Sequence, residues 1–454
     1  MTEKIKPNIS YLLISVIIIY LSVAFLGIQL EISAIIYDEQ RLLQFILFIV
    51  ASIYLICTKN TLPKQACYAL SIAILFASLS YPINDGRIWS DLCTYLLLII
   101  FTFSVSQLSR PTLPSLILII GLLPCLTLIW LIITLSLVVL GEPYSDAWHN
   151  SFGNIRTFND ALLPCLFILF SQIQYTNFPK KKSLKYSASF ILILYIFSLL
   201  IDGARAVILS SLLAVVVSFI IKHDVKSLFF FSRIFIIAGI TFSLCQLFLD
   251  GFKTHELIRT SSSGRTDLWL DALETWLRSP ITGTGGNPIT GYSFNHSILM
   301  HPHNLYLQFM AEWGALGLAA NILALLFLSY VIKNSRNVNF FLLAGVIASY
   351  INTGLSGMMI YPVSQITTCI LIGVSLAQIY QALPHTQHSQ IIYVKIPIAL
   401  LIILLCNILF WHNYNNYTLL PQTSEQNESI KSPRFWQNGQ TTNLIPISSP
   451  SVPN

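Results

Sequence analysis

The chain has 454 residues, of which 55% are hydrophobic and only 10% charged, and a formal net charge of +6. A soluble globular domain carries about 25% Asp, Glu, Lys and Arg, so less than half the usual charge is available to cover a surface. No soluble fold of this size hides so much apolar area, and the same composition excludes a disordered chain, a nucleic-acid binder and a secreted disulfide scaffold. What remains is a multi-span membrane protein.

A helix needs about 20 mostly apolar residues to cross a hydrocarbon core of about 30 Å. Such runs lie near 10–29, 42–58, 66–81, 91–108, 114–140, 160–176, 186–202, 206–222 and 229–249, then near 303–331, 339–357, 363–382 and 392–411. No alternating pattern of the outer-membrane-barrel kind appears. The expected fold is therefore an all-α polytopic bundle of about 12–13 transmembrane helices. It divides into spans 1–9 over residues 1–249, a loop over 250–302 with an amphipathic helix, spans 10–13 over 303–411 and a polar tail over 412–454. The first run is too long for a removable signal peptide and lacks a small-residue cleavage site.

With the N-terminus inside and 13 spans, the inner side holds 15 of the 25 basic residues but only Glu3 and Asp224 of the 19 acids. This asymmetry agrees with the positive-inside rule, so the net positive charge reports orientation rather than a nucleic-acid partner. The long polar loop and the tail then face outward; one span fewer would return the tail to the cytoplasm. The eight cysteines fall within or at the ends of apolar runs without CxxC spacing, as small packing residues do.

Almost no charge sits mid-span, where insertion scales put it at roughly 2.5–3.5 kcal/mol. The charges collect at the outer helix ends and in the long loop: Arg156, Asp160, Asp202, Arg205, Arg259, Arg265, Arg278 and Glu312, with His296, His301 and His303. A midplane site with broken helices would indicate a transporter, whereas this distribution places the work at the outer membrane–water boundary. Phe152 to Asn159 (FGNIRTFN) puts Arg156 and Asn159 at the mouth of a span, lining a cleft or capping a helix. Asp202-Gly203-Ala204-Arg205 is a tight turn between two spans. Ser263 to Trp269 (SGRTDLW) opens an amphipathic segment that runs to Arg278, with Trp269, Ala272, Leu273 and Trp276 on one face. Two guanidinium groups, Arg205 and Arg265, facing a low-dielectric cleft would clamp a pyrophosphate by bidentate hydrogen bonds. Pairing of Arg205 with Asp202 and of Arg265 with Asp267 is the bland alternative. The glycines of Gly283 to Asn287 (GTGGN) form no P-loop and read as a plain turn.

In Met300 to Tyr306 (MHPHNLY), Pro302 suits the start of a span and puts His303 on its first turn, with Tyr306 on the same side and Asn304 and Glu312 on an adjacent strip. Such an imidazole accepts a proton near neutral pH, with Glu312 or another carboxylate to orient it. An interfacial histidine bonded to a loop carbonyl is the alternative.

Taken in order, FGNIRTFN, GAR, SGRTDLW, SPITGTGGN and HPHNLYLQFMAEWGALG resemble the O-antigen ligase superfamily of bacterial inner-membrane glycosyltransferases, over roughly 150–320. The resemblance implies a GT-C-like fold that transfers a glycan from undecaprenyl pyrophosphate to an acceptor on the periplasmic face, with no metal, nucleotide sugar or other cofactor. The acceptor is lipid A–core in the ligases, a protein such as a pilin in the O-oligosaccharyltransferases, and a growing glycan in the polymerases. By the same resemblance His303 activates the acceptor hydroxyl and Arg205 and Arg265 hold the donor pyrophosphate. Arg156, Asn159, Arg278, His301, Asn304, Tyr306 and Glu312 are the expected substrate-binding residues around them. The thirteenth span and outward tail depart from the twelve-span ligases, and the tail is a candidate for protein-acceptor recognition. A lipid or polysaccharide transporter is the alternative from another class, but repeated halves and mid-membrane polar residues are missing from the sequence.

Overall fold

The computed structural model describes residues 5–30, 36–57, 87–108, 113–145, 148–149, 152, 155–174, 182–249, 252, 264–284, 292–294, 297–299 and 301–382. The runs expected at 66–81 and 392–411, the tail over 412–454, Arg259, His296 and Gly285 to Asn287 lie outside these residues.

The elements follow the apolar runs closely. They are α1 (Ile5–Leu26), α2 (Ile36–Cys57), α3 (Arg87–Ser106), α4 (Leu113–Leu122), α5 (Cys125–Val139), α6 (Ile155–Gln174), α7 (Lys182–Ile201), α8 (Arg205–Lys222), α9 (Val225–Phe248) and α10 (Arg265–Arg278). The connection from α10 to the next helix contains a short antiparallel hairpin, β1 (Tyr292–Phe294) and β2 (Ser297–Leu299). The helices α11 (Leu305–Lys333), α12 (Phe340–Thr353) and α13 (Pro362–Ala382) complete the described chain. Seven described segments are long and apolar enough to cross a membrane. The protein is an all-α polytopic membrane protein.

One run keeps its expected single span but builds it from two helices. Leu113–Leu122 and Cys125–Val139 meet at Leu123-Pro124, because proline has no N–H to continue the ladder and its ring crowds the preceding turn. The Pro124 carbonyl nevertheless accepts from Thr127 N–H at 3.1 Å and starts α5.

Helix α6 is the axis of the bundle. Its side chains are buried almost without interruption from Thr157 to Ser171, and α4, α7, α12 and α13 pack around it. Phe170 stacks on Phe341 of α12 with ring centroids 4.8 Å apart, and Gly121 and Gly345 let α4 and α12 come within van der Waals contact of Leu169 and Phe167 of α6. Large apolar side chains such as Ile19, Trp130, Phe190, Ile220, Phe229, Ile236 and Leu326 point outward and exposed. In a soluble protein this would be a defect, whereas hydrocarbon accepts it without penalty.

Helix α10 is amphipathic, but its buried face differs from the expected one. Leu268 and Ala272 are buried against Ala311 of α11, with Trp276 and Leu307 at the margin, and Leu273 is exposed. Helix α11 starts at Leu305, two residues later than expected, because the Asn304 side chain caps it by accepting from Leu307 N–H at 3.1 Å. It is then interrupted at Gly314, whose φ of 56° and ψ of −129° only glycine tolerates. The groups released by the break are taken up by the segment after α10. Thr284 N–H donates to Ala311 O and Ala315 N–H to Ile281 O, both at 3.1 Å. Gly283 (φ 67°) makes this possible, since a Cβ there would collide with the backbone of Glu312. The Ile281 to Thr284 segment is thus a brace for α11.

A candidate active site at one end of the bundle

The start of α6, the α7–α8 turn, the start of α10, the start of α11 and the α12–α13 connection all lie at the same end of the bundle. Each brings a polar side chain that its own sequence context would leave in water. All but the start of α11 line a polar cavity of about 210 Å³, through Arg156, Asn159, Asp160, Asp202, Arg205, Arg265 and Ser356.

Arg205 reaches the cavity because Gly203 adopts φ 58° and reverses the chain sharply between α7 and α8. Arg265 reaches it as the first residue of α10, immediately after Gly264 at φ 75°. Arg156 is on the first turn of α6 and exposed, and Asn159 lies one turn deeper and buried. Three guanidinium groups therefore face two carboxylates. Burial and the neighbouring Arg156 and Arg205 hold Arg265 below its ordinary pKa, with Asp160 acting in the opposite sense. An arginine shifted in this way remains cationic at neutral pH. Its Nε and the Asn159 Oδ1 are buried without a hydrogen-bond partner among the described residues.

The pairing anticipated between Arg265 and Asp267 does not form, and Asp202 has a partner of its own besides the turn it belongs to. Asp202 is engaged by His149, whose Nε2 lies 3.0 Å from its Oδ2, and the His149 ring packs tilted against Trp148 with ring centroids 3.4 Å apart. The carboxylate acting on Arg265 is Asp160 of α6, not Asp267, which is exposed on α10. Asp160 in turn is held by Asn352 Nδ2 at 2.7 Å and Ser356 Oγ at 2.6 Å.

His303 is near this cavity, in the turn before α11. Its backbone is left-handed (φ 56°), unusual for a residue with a Cβ. Its ring packs edge-on to His301 with centroids 4.2 Å apart, and its Nδ1 is buried without a hydrogen-bond partner among the described residues. Burial, then the fields of His301, Arg156 and Arg265, holds it well below the ordinary imidazole range. The ring is accordingly neutral at neutral pH and has a lone pair to accept a proton.

The expectation that Glu312 orients His303 is not met. Glu312 is fully buried two residues before the Gly314 break, and His303 makes no hydrogen bond to it. Asn304 is used as the α11 cap, and Tyr306 donates its hydroxyl to Tyr350 O at 2.7 Å. Arg278 is on the last turn of α10, exposed and paired with Glu274 at 2.7 Å, so it is not brought to this cavity. His301 is buried and faces Tyr361. Asp160 and Asp202 were legible as charges at helix ends. His149, Asn352, Ser356 and Tyr361 carried no signal beyond their polarity.

A second, apolar cleft of about 400 Å³ starts two residues from His303. Leu305, Tyr306, Phe309 and Trp313 of α11 line one side, and Tyr95, Phe103 of α3 and Ile372 of α13 line the other. Phe309 and Trp313 stack at 5.2 Å along it.

Comparison with known families finds a match over residues 190–322 to the family model described as O-antigen ligase, and this supports the O-antigen ligase superfamily. The matched segment contains Arg205, Arg265, His301, His303 and the whole α10–α11 connection, while Arg156, Asn159 and Asp160 precede it. No curated protein matches the chain.

Proposed function

We propose that the protein is a glycosyltransferase of the bacterial inner membrane that moves a glycan en bloc from undecaprenyl pyrophosphate to an acceptor hydroxyl on the periplasmic side. The observation that carries this reading is the juxtaposition of three arginines around one polar cavity with a neutral histidine and an apolar cleft beside it. A polyprenyl-pyrophosphate glycan has the matching parts: a multiply charged headgroup, a sugar, and a long hydrocarbon tail.

The chemistry follows from that arrangement. Arg156, Arg205 and Arg265 hold the pyrophosphate oxygens, where charge grows as the anomeric C–O bond breaks. The acceptor oxygen forms the new bond to the anomeric carbon, its proton passes to the His303 imidazole, and undecaprenyl pyrophosphate departs with the bonding pair. Direct displacement inverts the anomeric centre, which comparison of donor and product linkages by NMR tests. Because the donor is already activated, orientation and charge stabilisation supply most of the rate. Asp160 sets the charge balance of the cavity and stays clear of the sugar, since Asn352 and Ser356 occupy its oxygens.

The acceptor is decided in cells. A deletion strain is examined by lipopolysaccharide ladder and by the mass of its major pilin. Loss of the polymer on lipid A–core with intact pilin mass identifies a ligase, and loss of pilin mass identifies a protein O-oligosaccharyltransferase. A ladder collapsed to single repeat units identifies a polymerase. A strain unchanged in all its surface glycans contradicts the proposal.

A further inference from the structure

His301 was read from the sequence as a substrate contact, and its surroundings assign it another task. Its Nδ1 accepts a hydrogen bond from the backbone N–H of His303 at 3.3 Å. An acceptor nitrogen carries no proton, so in the neutral ring the proton is on Nε2, which lies 3.4 Å from the Tyr361 hydroxyl. Both rings are buried. A residue with a Cβ resists the left-handed conformation that His303 adopts, and it persists only where surrounding contacts over-determine it. The His301 ring is the contact that takes the His303 N–H in that conformation.

The support continues away from the site. Tyr361 meets Tyr37 of α2 edge-on at 6.3 Å. Arg41, one turn further along α2 and fully buried, donates to the Tyr37 hydroxyl at 2.9 Å, to Ile360 O at 2.8 Å and to Gln365 Oε1 at 2.8 Å. A buried guanidinium is kept only where its donors are satisfied, and here two of them hold the backbone and ring that flank Tyr361. Gly357 closes the arrangement: a Cβ there would stand 2.7 Å from the Tyr361 ring and 3.3 Å from that of His301.

We infer that His301 is a positioning residue, which locks the turn carrying His303 through its Nδ1 while Tyr361, anchored by Arg41, holds the ring at its Nε2. This rests on the proposed role of His303, and the two are separable by experiment. Asparagine offers an oxygen at the place of Nδ1, whereas glutamine offers a polar atom at the place of Nε2. With purified protein and a polyprenyl-pyrophosphate glycan, His301→Asn is expected to keep kcat within about threefold of wild type. His301→Gln is expected to lose at least about tenfold in kcat, with donor KM unchanged in both. Tyr361→Phe keeps the ring and should lower kcat by about two- to threefold, again at unchanged donor KM.

Equal losses in the Asn and Gln variants, or a Gln variant better than Asn, would overturn the inference. So would a raised donor KM at normal kcat, which would restore His301 to substrate contact. Unchanged kcat in Tyr361→Phe would overturn the Tyr361 link even if a His301 variant did not fold. Full activity in His303→Ala would instead remove the reading on which the inference stands.

Discussion

Replacing Arg265 by lysine keeps the charge and removes the fork. In the cavity Arg265 stands with Arg156 and Arg205 on one side of the balance and Asp160 on the other, so a lysine ammonium meets the same field. What changes is the hydrogen-bond pattern, since guanidinium presents two parallel donors to a phosphate and ammonium acts as a point charge. Loss of one bond to a charged group is worth about 1.5–3 kcal/mol, or about 10- to 150-fold in kcat/KM for the donor. The structure adds a second expectation for the donor-free protein. Burial and two like-charged neighbours already disfavour the Arg265 cation, so Arg265→Gln should leave thermal unfolding in detergent unchanged or slightly raised while abolishing transfer. Residues held against their own stability in this way are typical of sites shaped for a ligand. Glycan transfer from a polyprenyl-pyrophosphate donor, followed by mass spectrometry of the acceptor, reads the first effect, and a thermal shift reads the second. Wild-type kcat/KM in Arg265→Lys would refute the clamp. A Gln variant that unfolds several degrees early would make Arg265 a strut of the fold.

Three further outcomes follow from the same geometry. Because His303 must be unprotonated to accept a proton and its free-state pKa is held below the ordinary value, the acid limb of kcat/KM against pH should lie below about 6.5. A limb above that value contradicts the assignment. Gly314→Ala forces a side chain into φ 56° and towards the Ile281 carbonyl, and should destabilise the protein by about 2–4 kcal/mol, measured by thermal or denaturant unfolding; an unaffected transition would mean that the break in α11 is dispensable. Arg278→Ala should leave donor kcat/KM unchanged, since that side chain is exposed and paired with Glu274, and a tenfold loss would place it in the site after all.

The bundle was legible because hydrocarbon imposes length and composition on every span. Eleven of the thirteen apolar runs fall on described helices, and the other two lie outside the described residues. Breaks inside the runs were harder to read. Pro124 divides one run and Gly314 another, and a glycine in EWGALG looks like any small residue until the partner for the Ala311 carbonyl and Ala315 N–H that it frees is known. That partner, the Ile281 to Thr284 segment, is in a loop about thirty residues earlier.

In the site, the arginines and His303 stood out because charge is scarce in this chain. Their counter-groups did not, since Asp160 is satisfied by Asn352 and Ser356, 192 and 196 residues away. A sequence neighbour, Asp267, was offered as the partner of Arg265, and the fold brings Asp160 to it instead, while Asp202 also takes His149. Arg41 escaped notice as a charge at a span edge, and only the α2–α13 packing reveals that its guanidinium is filled by protein acceptors.

The most direct test is reconstitution. Purified wild-type protein and His303→Ala, both verified as folded, are placed in lipid nanodiscs with an undecaprenyl-pyrophosphate glycan and the acceptor identified in cells. The predicted result is stoichiometric release of undecaprenyl pyrophosphate with glycan joined to acceptor by the wild type, and loss of both products in the variant. Release and transfer at the wild-type rate by His303→Ala, or none by the wild type, would contradict it.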